Sequence, residues 1–257
     1  GIVLAFIFEY MDPTFKSSQD IESELNLRFL GSIPRRNMIE RSLISDPQKK
    51  SNYAKHYQSL FDQLYFSIKD RKIKTIMFTA ATSEEETSTV MTNLGFFMSQ
   101  KGDLRVLLVD ANFRNPSLHK LLKVENSMGF ADVLEKRVPL REITKEIHDN
   151  LHAVPAGKNE LNPLMLLDPA KIKEALQDIQ GKYDIILIDC PNLKSYKDPV
   201  VLSLSADTTI VVVNENQTRR KVLKMGLKSL QERNVNILGS VLNNKTFPIP
   251  RFVYERV

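Results

Sequence analysis

The sequence predicts an α/β fold, a doubly wound and mostly parallel sheet with helices on both faces. Three observations carry that prediction. Apolar runs such as Ile185-Ile-Leu-Ile188 and Ile210-Val-Val-Val213 are continuous rather than alternating, as strands buried on both faces require. These runs alternate with helical stretches, the order that parallel crossovers impose. The chain has 257 residues, 42% hydrophobic and 26% charged, which suits one large domain with a small extension.

The elements follow in order. Ser17-Ser-Gln-Asp20 offers a hydroxyl and a carboxylate for a helix start. Residues 28–33 read as a short strand stopped by Pro34, and 52–69 as a helix. Strands are expected over 73–79, 105–109, 151–154, 184–188, 208–213 and 236–242, and a helix over 87–100. No internal repeat or low-complexity stretch interrupts them.

Composition narrows the partners. A net charge of +5, from 36 basic against 31 acidic residues, is too modest to point to nucleic acid. The single cysteine, Cys190, excludes an intramolecular disulfide and fits a reducing compartment. It follows a buried strand, so it reads as a packed small residue rather than a nucleophile. Gly1-Ile-Val-Leu-Ala-Phe-Ile-Phe8 is apolar but far short of the roughly 20 residues needed to span a bilayer. It also lacks the basic start and cleavage site of a signal peptide. Two readings stay open: a buried strand, or the last turns of a transmembrane helix that begins upstream. Residues 35–50, with Arg35, Arg36, Arg41, Lys49 and Lys50, read as a solvated linker that could touch anionic headgroups.

Four stretches, in order, carry a family resemblance. They are Glu9-Tyr-Met-Asp-Pro-Thr-Phe-Lys16 with Leu30-Gly-Ser-Ile-Pro34; Val106-Leu-Leu-Val-Asp-Ala-Asn-Phe-Arg-Asn-Pro-Ser-Leu-His119; Met128-Gly-Phe-Ala-Asp-Val-Leu134 with Val154-Pro-Ala-Gly157 and Asn162-Pro163; and Tyr183-Asp-Ile-Ile-Leu-Ile-Asp-Cys-Pro191. Together they resemble the deviant P-loop ATPases of the MinD and ParA type. Within that group the chain is most similar to the cytoplasmic domain of bacterial tyrosine kinases that work with polysaccharide co-polymerases. The resemblance implies a chain-length-determinant-like juxtamembrane segment over 1–34, a linker over 35–50 and a kinase-like P-loop domain over 51–257. It also favours the transmembrane reading of the first eight residues, and places the domain on the cytoplasmic face of the bacterial inner membrane.

The nucleotide motif of that family is broken here. Between the strand and the helix the chain reads Ala80-Ala-Thr-Ser-Glu-Glu-Glu-Thr-Ser-Thr89. Thr79, Ser88, Thr89, Asn93 and Leu94 match the family pattern, whereas Glu84 and Glu86 replace glycines and Thr87 replaces the lysine. Glycine lets backbone N–H groups close around phosphate oxygens, and lysine supplies the charge on the outer phosphates. Glu84, Glu85 and Glu86 instead bring three negative charges toward that position. Like charges about 4 Å apart repel by roughly 4 kcal/mol at an effective dielectric near 20. Ser83-x-x-Glu86 also reads as a capping box that satisfies the helix's free N–H groups internally.

The resemblance places Asp110 at the magnesium-linked catalytic carboxylate and Asp189 at the Walker B position. Asn112 stands where a second aspartate is expected, and an amide is neither base nor anion. No catalytic, cofactor or metal residues are therefore expected. Glu84, Glu86, Thr87, Ser88, Thr89 and Asn243 remain as vestiges of the nucleotide site, and Ser88, Asp110 and Asp189 as vestiges of the metal site. ATP and Mg²⁺ are implied only if the site is active, with a cation such as Lys101, Lys158 or Arg219 in place of the lysine. His119 reads as structural; Thr218-Arg-Arg-Lys221 resembles the family's helix start near the base side but reads equally as a solvated face; Asn243 stands where relatives contact adenine, and is also a common loop residue after a strand.

Two further family features are absent. Lys55, Gln58 and Phe61 occupy the Glu-x-x-Arg-x-x-Arg assembly positions, and Tyr254 is the only tyrosine of Arg251-Phe-Val-Tyr-Glu-Arg-Val257. The expectation is a catalytically degenerate tyrosine-kinase-like domain that regulates or scaffolds exopolysaccharide or capsule synthesis and chain length. Its partners would be an upstream transmembrane co-polymerase region and polysaccharide-synthesis proteins, with oligomeric state open. The alternatives are a weakly active tyrosine autokinase of the same pathway and a MinD- or ParA-like partitioning ATPase.

Overall fold

The computed structural model describes residues 12–35, 52–101, 104–159, 162–179 and 181–246. The apolar stretch 1–8, nearly all of the basic linker and Tyr254 lie outside the described residues. The described residues form one sheet from β1 Phe29–Pro34, β2 Thr75–Ala80, β3 Val106–Asp110, β4 Lys145–His148, β5 Leu151–Val154, β6 Ile185–Asp189, β7 Thr208–Asn214 and β8 Ile237–Lys245. The strand order is β1-β8-β7-β2-β6-β3-β5-β4. Every neighbouring pair is parallel except β4 with β5.

The continuous apolar strands divide their side chains by the two-residue period of the pleat. On one face Ile76, Phe78, Leu108, Ile185, Leu187, Ile210 and Val212 share a core. Their alternates Met77, Leu107, Val109, Ile186 and Ile188 join a second cluster, and Val211 and Val213 a third. Both faces are thus covered, as a doubly wound sheet demands.

Helices α1 Ser18–Leu25, α2 Asn52–Arg71 and α3 Thr87–Lys101 precede the short helices α4 Leu118–Leu122, α5 Phe130–Leu134, α6 Leu140–Ile143 and α7 Pro163–Leu166. Then come α8 Pro169–Gln177, α9 Asp198–Ser203 and α10 Arg220–Gln231. Helix α2 buries Tyr53, Tyr57, Leu60, Phe61 and Leu64, a helical stripe worth about 1.5–3 kcal/mol per large apolar side chain. Helix α3 is buried all round from Val90 to Ser99, with Val90, Met91, Leu94, Phe96, Phe97 and Met98 in the core. Gly95 lets it approach the sheet: a Cβ there would meet Leu108 Cδ2 at 2.7 Å.

The entry segment packs into the same sheet. Ser17 caps α1 by accepting the Asp20 N–H at 3.1 Å, as its sequence predicts. Phe15 is fully buried, and its N–H donates to the Thr218 carbonyl at 3.2 Å. Arg220 ties the segment down through Nε to the Thr14 carbonyl at 3.0 Å and Nη1 to Glu24 at 2.8 Å. Strand β1 then extends the sheet beside β8 and sends Leu30 and Ile33 into the core.

The expected strands match the observed ones within a few residues. Strand β4 is the exception, because Lys145-Glu-Ile-His148 is polar and mostly exposed and carries no apolar run. It forms by antiparallel pairing with β5 across the short turn at Asp149 and Asn150, with Glu146 opposite His152, so the hairpin rather than an apolar run makes it a strand.

Candidate functional site

In a doubly wound sheet, ligands bind beyond the carboxyl ends of the strands. Here the loop 81–86 joins β2 to α3 at that end. A cleft of about 470 Å³ lies over it, lined by Thr82, Ser83, Glu86, Thr87, Ser88, Thr89, Asn112, Arg114, Asp189 and Tyr196 among others. The adjacent strands β3 and β6 end in register on Asp110 and Asp189.

Most of the residues expected at the site therefore meet. Ser88 donates a short hydrogen bond to Asp189. Asp110 is fully buried, and accepts the backbone N–H groups of Asn112 at 3.0 Å and of Ser117 and Leu118 at 3.1 Å. Burial nevertheless pushes its pKa up to about 6 against those donors. Asp189 is raised well above the ordinary carboxylate range, first by burial and then by the Asp110 charge beside it. Its Oδ1 has no protein partner. Asn112 accepts the Asn115 N–H at 3.1 Å, so it closes a turn.

The loop itself differs from the expectation. The bonds that would make Ser83 and Glu86 a capping box are not present. Glu85 closes the loop instead. Its side chain is buried, at 1% exposure, and Oε2 accepts the Thr82 N–H at 3.0 Å and the Thr82 hydroxyl at 2.7 Å. Oε1 accepts the Thr218 hydroxyl at 3.0 Å. The physical reason is space: the end of β7 offers an enclosed polar niche, whereas Ser83 and Glu86 face the open cleft.

Two amides at neighbouring strand ends complete the closure. Asn214 Nδ2 donates to the Glu84 carbonyl at 2.9 Å, and Asn243 Nδ2 donates to the Glu85 carbonyl at 3.1 Å. Asn214 and Asn243 are partners in the β7–β8 ladder. Asn243, expected at the adenine position, thus lies behind the loop and does not line the cleft. Thr218 lies just before the start of α10, within the stretch read as a helix start, and its hydroxyl accepts the Asn214 N–H at 2.8 Å and donates to Glu85.

The three glutamates also part company. Glu84 is exposed away from the cleft, Glu85 turns inward, and only Glu86 lines the cleft wall. Glu86 holds φ at +54°, the left-handed region where glycine is strain-free and other residues pay about 1 kcal/mol. The backbone keeps a glycine conformation although the glycine is gone.

Among the residues lining the cleft the cation is Arg114; neither Lys158 nor Arg219 reaches it. Arg114 forks onto the buried Asp198, with Nε to Oδ2 at 2.9 Å and Nη2 to Oδ1 at 3.2 Å, and stacks on Tyr196 at 4.8 Å. Its charge is therefore already engaged. Cys190 is buried and its thiol pKa is raised well above normal by burial, the state of an inert packed thiol.

The fit to a nucleotide follows from these contacts. A phosphate cradle needs loop N–H groups and a cation, but the Thr82 N–H is taken by Glu85, Thr87 stands in place of the lysine, and Glu86 faces the phosphate position. The triphosphate does not fit. Ser88 and Asp189 offer the hard oxygen donors a magnesium ion prefers, yet the hydroxyl is spent on the carboxylate.

On α2, Lys55 and Gln58 are exposed, whereas Phe61 is buried. Its ring packs on Phe97 at 5.9 Å between centroids, so this position serves the core.

A strand–loop–helix at the carboxyl edge of a doubly wound sheet, with two aspartates ending adjacent strands, defines a P-loop domain of the MinD type. The family profile of the cellulose biosynthesis protein BcsQ matches residues 74–238, and the chain belongs to that family. Proteins named tyrosine-protein kinases are among its relatives by sequence. It is 27% identical over 212 residues to tyrosine-protein kinase YwqD of Bacillus subtilis, spanning 82% of this chain and 89% of that protein. It is 25% identical over 257 residues to tyrosine-protein kinase ptk of Acinetobacter johnsonii, covering 95% of this chain but only 35% of that longer protein. The kinase domain of Escherichia coli tyrosine kinase ETK superposes with a TM-score of 0.83 at 20% identity, over 92% of this chain and 97% of that one. MinD of Pyrococcus horikoshii complexed with Mg-ADP superposes with a TM-score of 0.57 at 25% identity, over 68% and 74% of the two chains.

Proposed function

We propose that this chain is a catalytically silent, tyrosine-kinase-like domain that regulates or scaffolds polysaccharide synthesis at the cytoplasmic face of a bacterial membrane. The observation that carries the reading is the buried Glu85 carboxylate, which holds the Thr82 N–H of the loop at 3.0 Å. With Thr87 at the lysine position and Glu86 on the cleft wall, the loop is closed on its own side chain rather than around phosphate. The kinase names of YwqD and ptk, and membership of the BcsQ family, support the pathway. A juxtamembrane role for residues 1–34 and a co-polymerase partner belong to the same proposal. No helix among the described residues is long and apolar enough to cross a membrane, so attachment would run through a segment outside them.

Calorimetric titration with ADP and with ATP, each with Mg²⁺, tests the nucleotide half of this reading. No heat at millimolar nucleotide is expected, and micromolar binding overturns it. A phosphotyrosine blot after incubation with ATP and Mg²⁺ tests the catalytic half.

A second reading, a weakly active autokinase, draws on one feature. Ser88, Asp110 and Asp189 keep their mutual placement, and Asp189 Oδ1 faces no protein donor. Phosphate incorporation that disappears in Asp110→Asn would favour it.

A further inference from the structure

We infer that a second cleft, at the opposite end of the sheet from the loop, is a binding site for a phosphate-bearing anion. The cleft measures about 430 Å³, within the range of small-molecule sites. It lies where β3, β5 and β6 begin. Arg105 precedes β3, Asn150 precedes β5, and Lys182 and Tyr183 lead into β6, while Arg141 comes from α6. The ancestral nucleotide edge is at the carboxyl ends of the same strands, so this cleft owes nothing to that site.

Charge and unmet hydrogen bonding point to an anion. Arg141 and Lys182 are exposed and enter no described ion pair. Arg105 is held in place by Asp184, with Nε at 3.1 Å and Nη2 at 3.0 Å from its carboxylate oxygens. The Arg105 charge is engaged by Asp184, and Arg141 and Lys182 face one lining carboxylate, Glu146, so the wall carries one net positive charge. His152, opposite Glu146 in the β4–β5 ladder, has a buried Nδ1 with no protein partner. Its ring stands edge-on to Tyr183 at 5.5 Å, which fixes its orientation. Buried polar atoms are rarely left unpaired, and the guanidinium and ammonium groups that line the same cleft are the donor set that phosphate oxygens take.

Titration of the whole chain with sodium pyrophosphate tests the site. Saturable binding is expected, weakened at least about tenfold in the Arg141→Ala/Lys182→Ala double variant, the loss of one charge-assisted contact or more. Both side chains are exposed, so an unchanged melting temperature confirms that the variant is folded. Thr87→Ala, in the other cleft, leaves the affinity unchanged. Co-sedimentation with phosphatidylcholine vesicles doped with phosphatidic acid, lost in the double variant, assigns the phosphate to a lipid headgroup. Pyrophosphate binding without co-sedimentation assigns it to a soluble ligand. Absence of saturable pyrophosphate binding overturns the inference, as does binding that ignores the double variant or falls with Thr87→Ala.

Discussion

The hydroxyl of Thr218 donates to the carboxylate of Glu85 at 3.0 Å, across 133 positions of sequence. That bond joins the loop after β2 to the turn after β7. The same turn holds the entry segment through the Phe15 N–H to the Thr218 carbonyl at 3.2 Å. Thr218 therefore contacts both the loop after β2 and the segment leading into the domain.

Glu85→Ala leaves the Thr82 N–H and two hydroxyls without their acceptor in a buried niche. Unpaired buried donors cost about 1–3 kcal/mol each before relaxation, so a net loss of about 2–4 kcal/mol is expected. Urea unfolding of the variant measures it. A loss below about half a kcal/mol would mean that the closure is ornamental.

Restoring the ancestral chemistry should restore binding. The variant Glu84→Gly/Glu86→Gly/Thr87→Lys removes the acidic wall, returns glycine to a position already at φ +54° and supplies the cation. ADP binding should tighten by at least about a hundredfold, as two recovered charge-assisted contacts require. No gain by calorimetry would place the block on Glu85 and Asn243 instead.

Arg114→Ala strands the carboxylate of Asp198, which is fully buried. Breaking a buried pair by removing one partner costs about 3–5 kcal/mol. The solvent exposure of Arg114, 24%, lowers the expectation to about 2–3 kcal/mol. Arg114→Ala/Asp198→Asn should recover much of the loss in thermal or urea unfolding.

The aspartate pair makes stability depend on pH in an unusual sense. Asp110 and Asp189 have folded-state pKa values raised above those of the unfolded chain, to about 6 for Asp110. For Asp110 the folded state then binds more protons than the unfolded state between about pH 4 and 6, and Asp189 acts in the same direction, so the pair's contribution falls as pH rises. Asp189→Asn removes one charge and the repulsion on Asp110. It should flatten the slope and raise stability at pH 7 by about 1–3 kcal/mol. Unfolding curves of wild type and variant across pH 4–8 check the sign; a variant less stable at pH 7 contradicts it.

The fold was legible because its evidence is local. Continuous apolar runs such as 185–188 and 210–213 need two covered faces wherever they occur. Ser17, the acidic loop and Thr87 were equally legible, since the loss of lysine and glycine is a property of residue type. Strand β4 was not legible, because its pairing with β5 compensates for a polar sequence. Phe61 read as a lost assembly contact, and only its packing on Phe97 revealed a core residue.

By itself the sequence determined that this is a doubly wound sheet whose strand-to-helix loop carries three glutamates and a threonine at 84–87. Residue type is enough for that, since side-chain charge, glycine content and apolar period act over a few neighbouring positions. Tertiary structure decided what the altered loop does instead. Three successive glutamates are alike as letters, yet one is exposed, one lines the cleft and one is buried against Thr82 and Thr218. Which glutamate finds hydrogen-bond donors depends on strand ends more than a hundred residues away, and only the folded sheet brings those together.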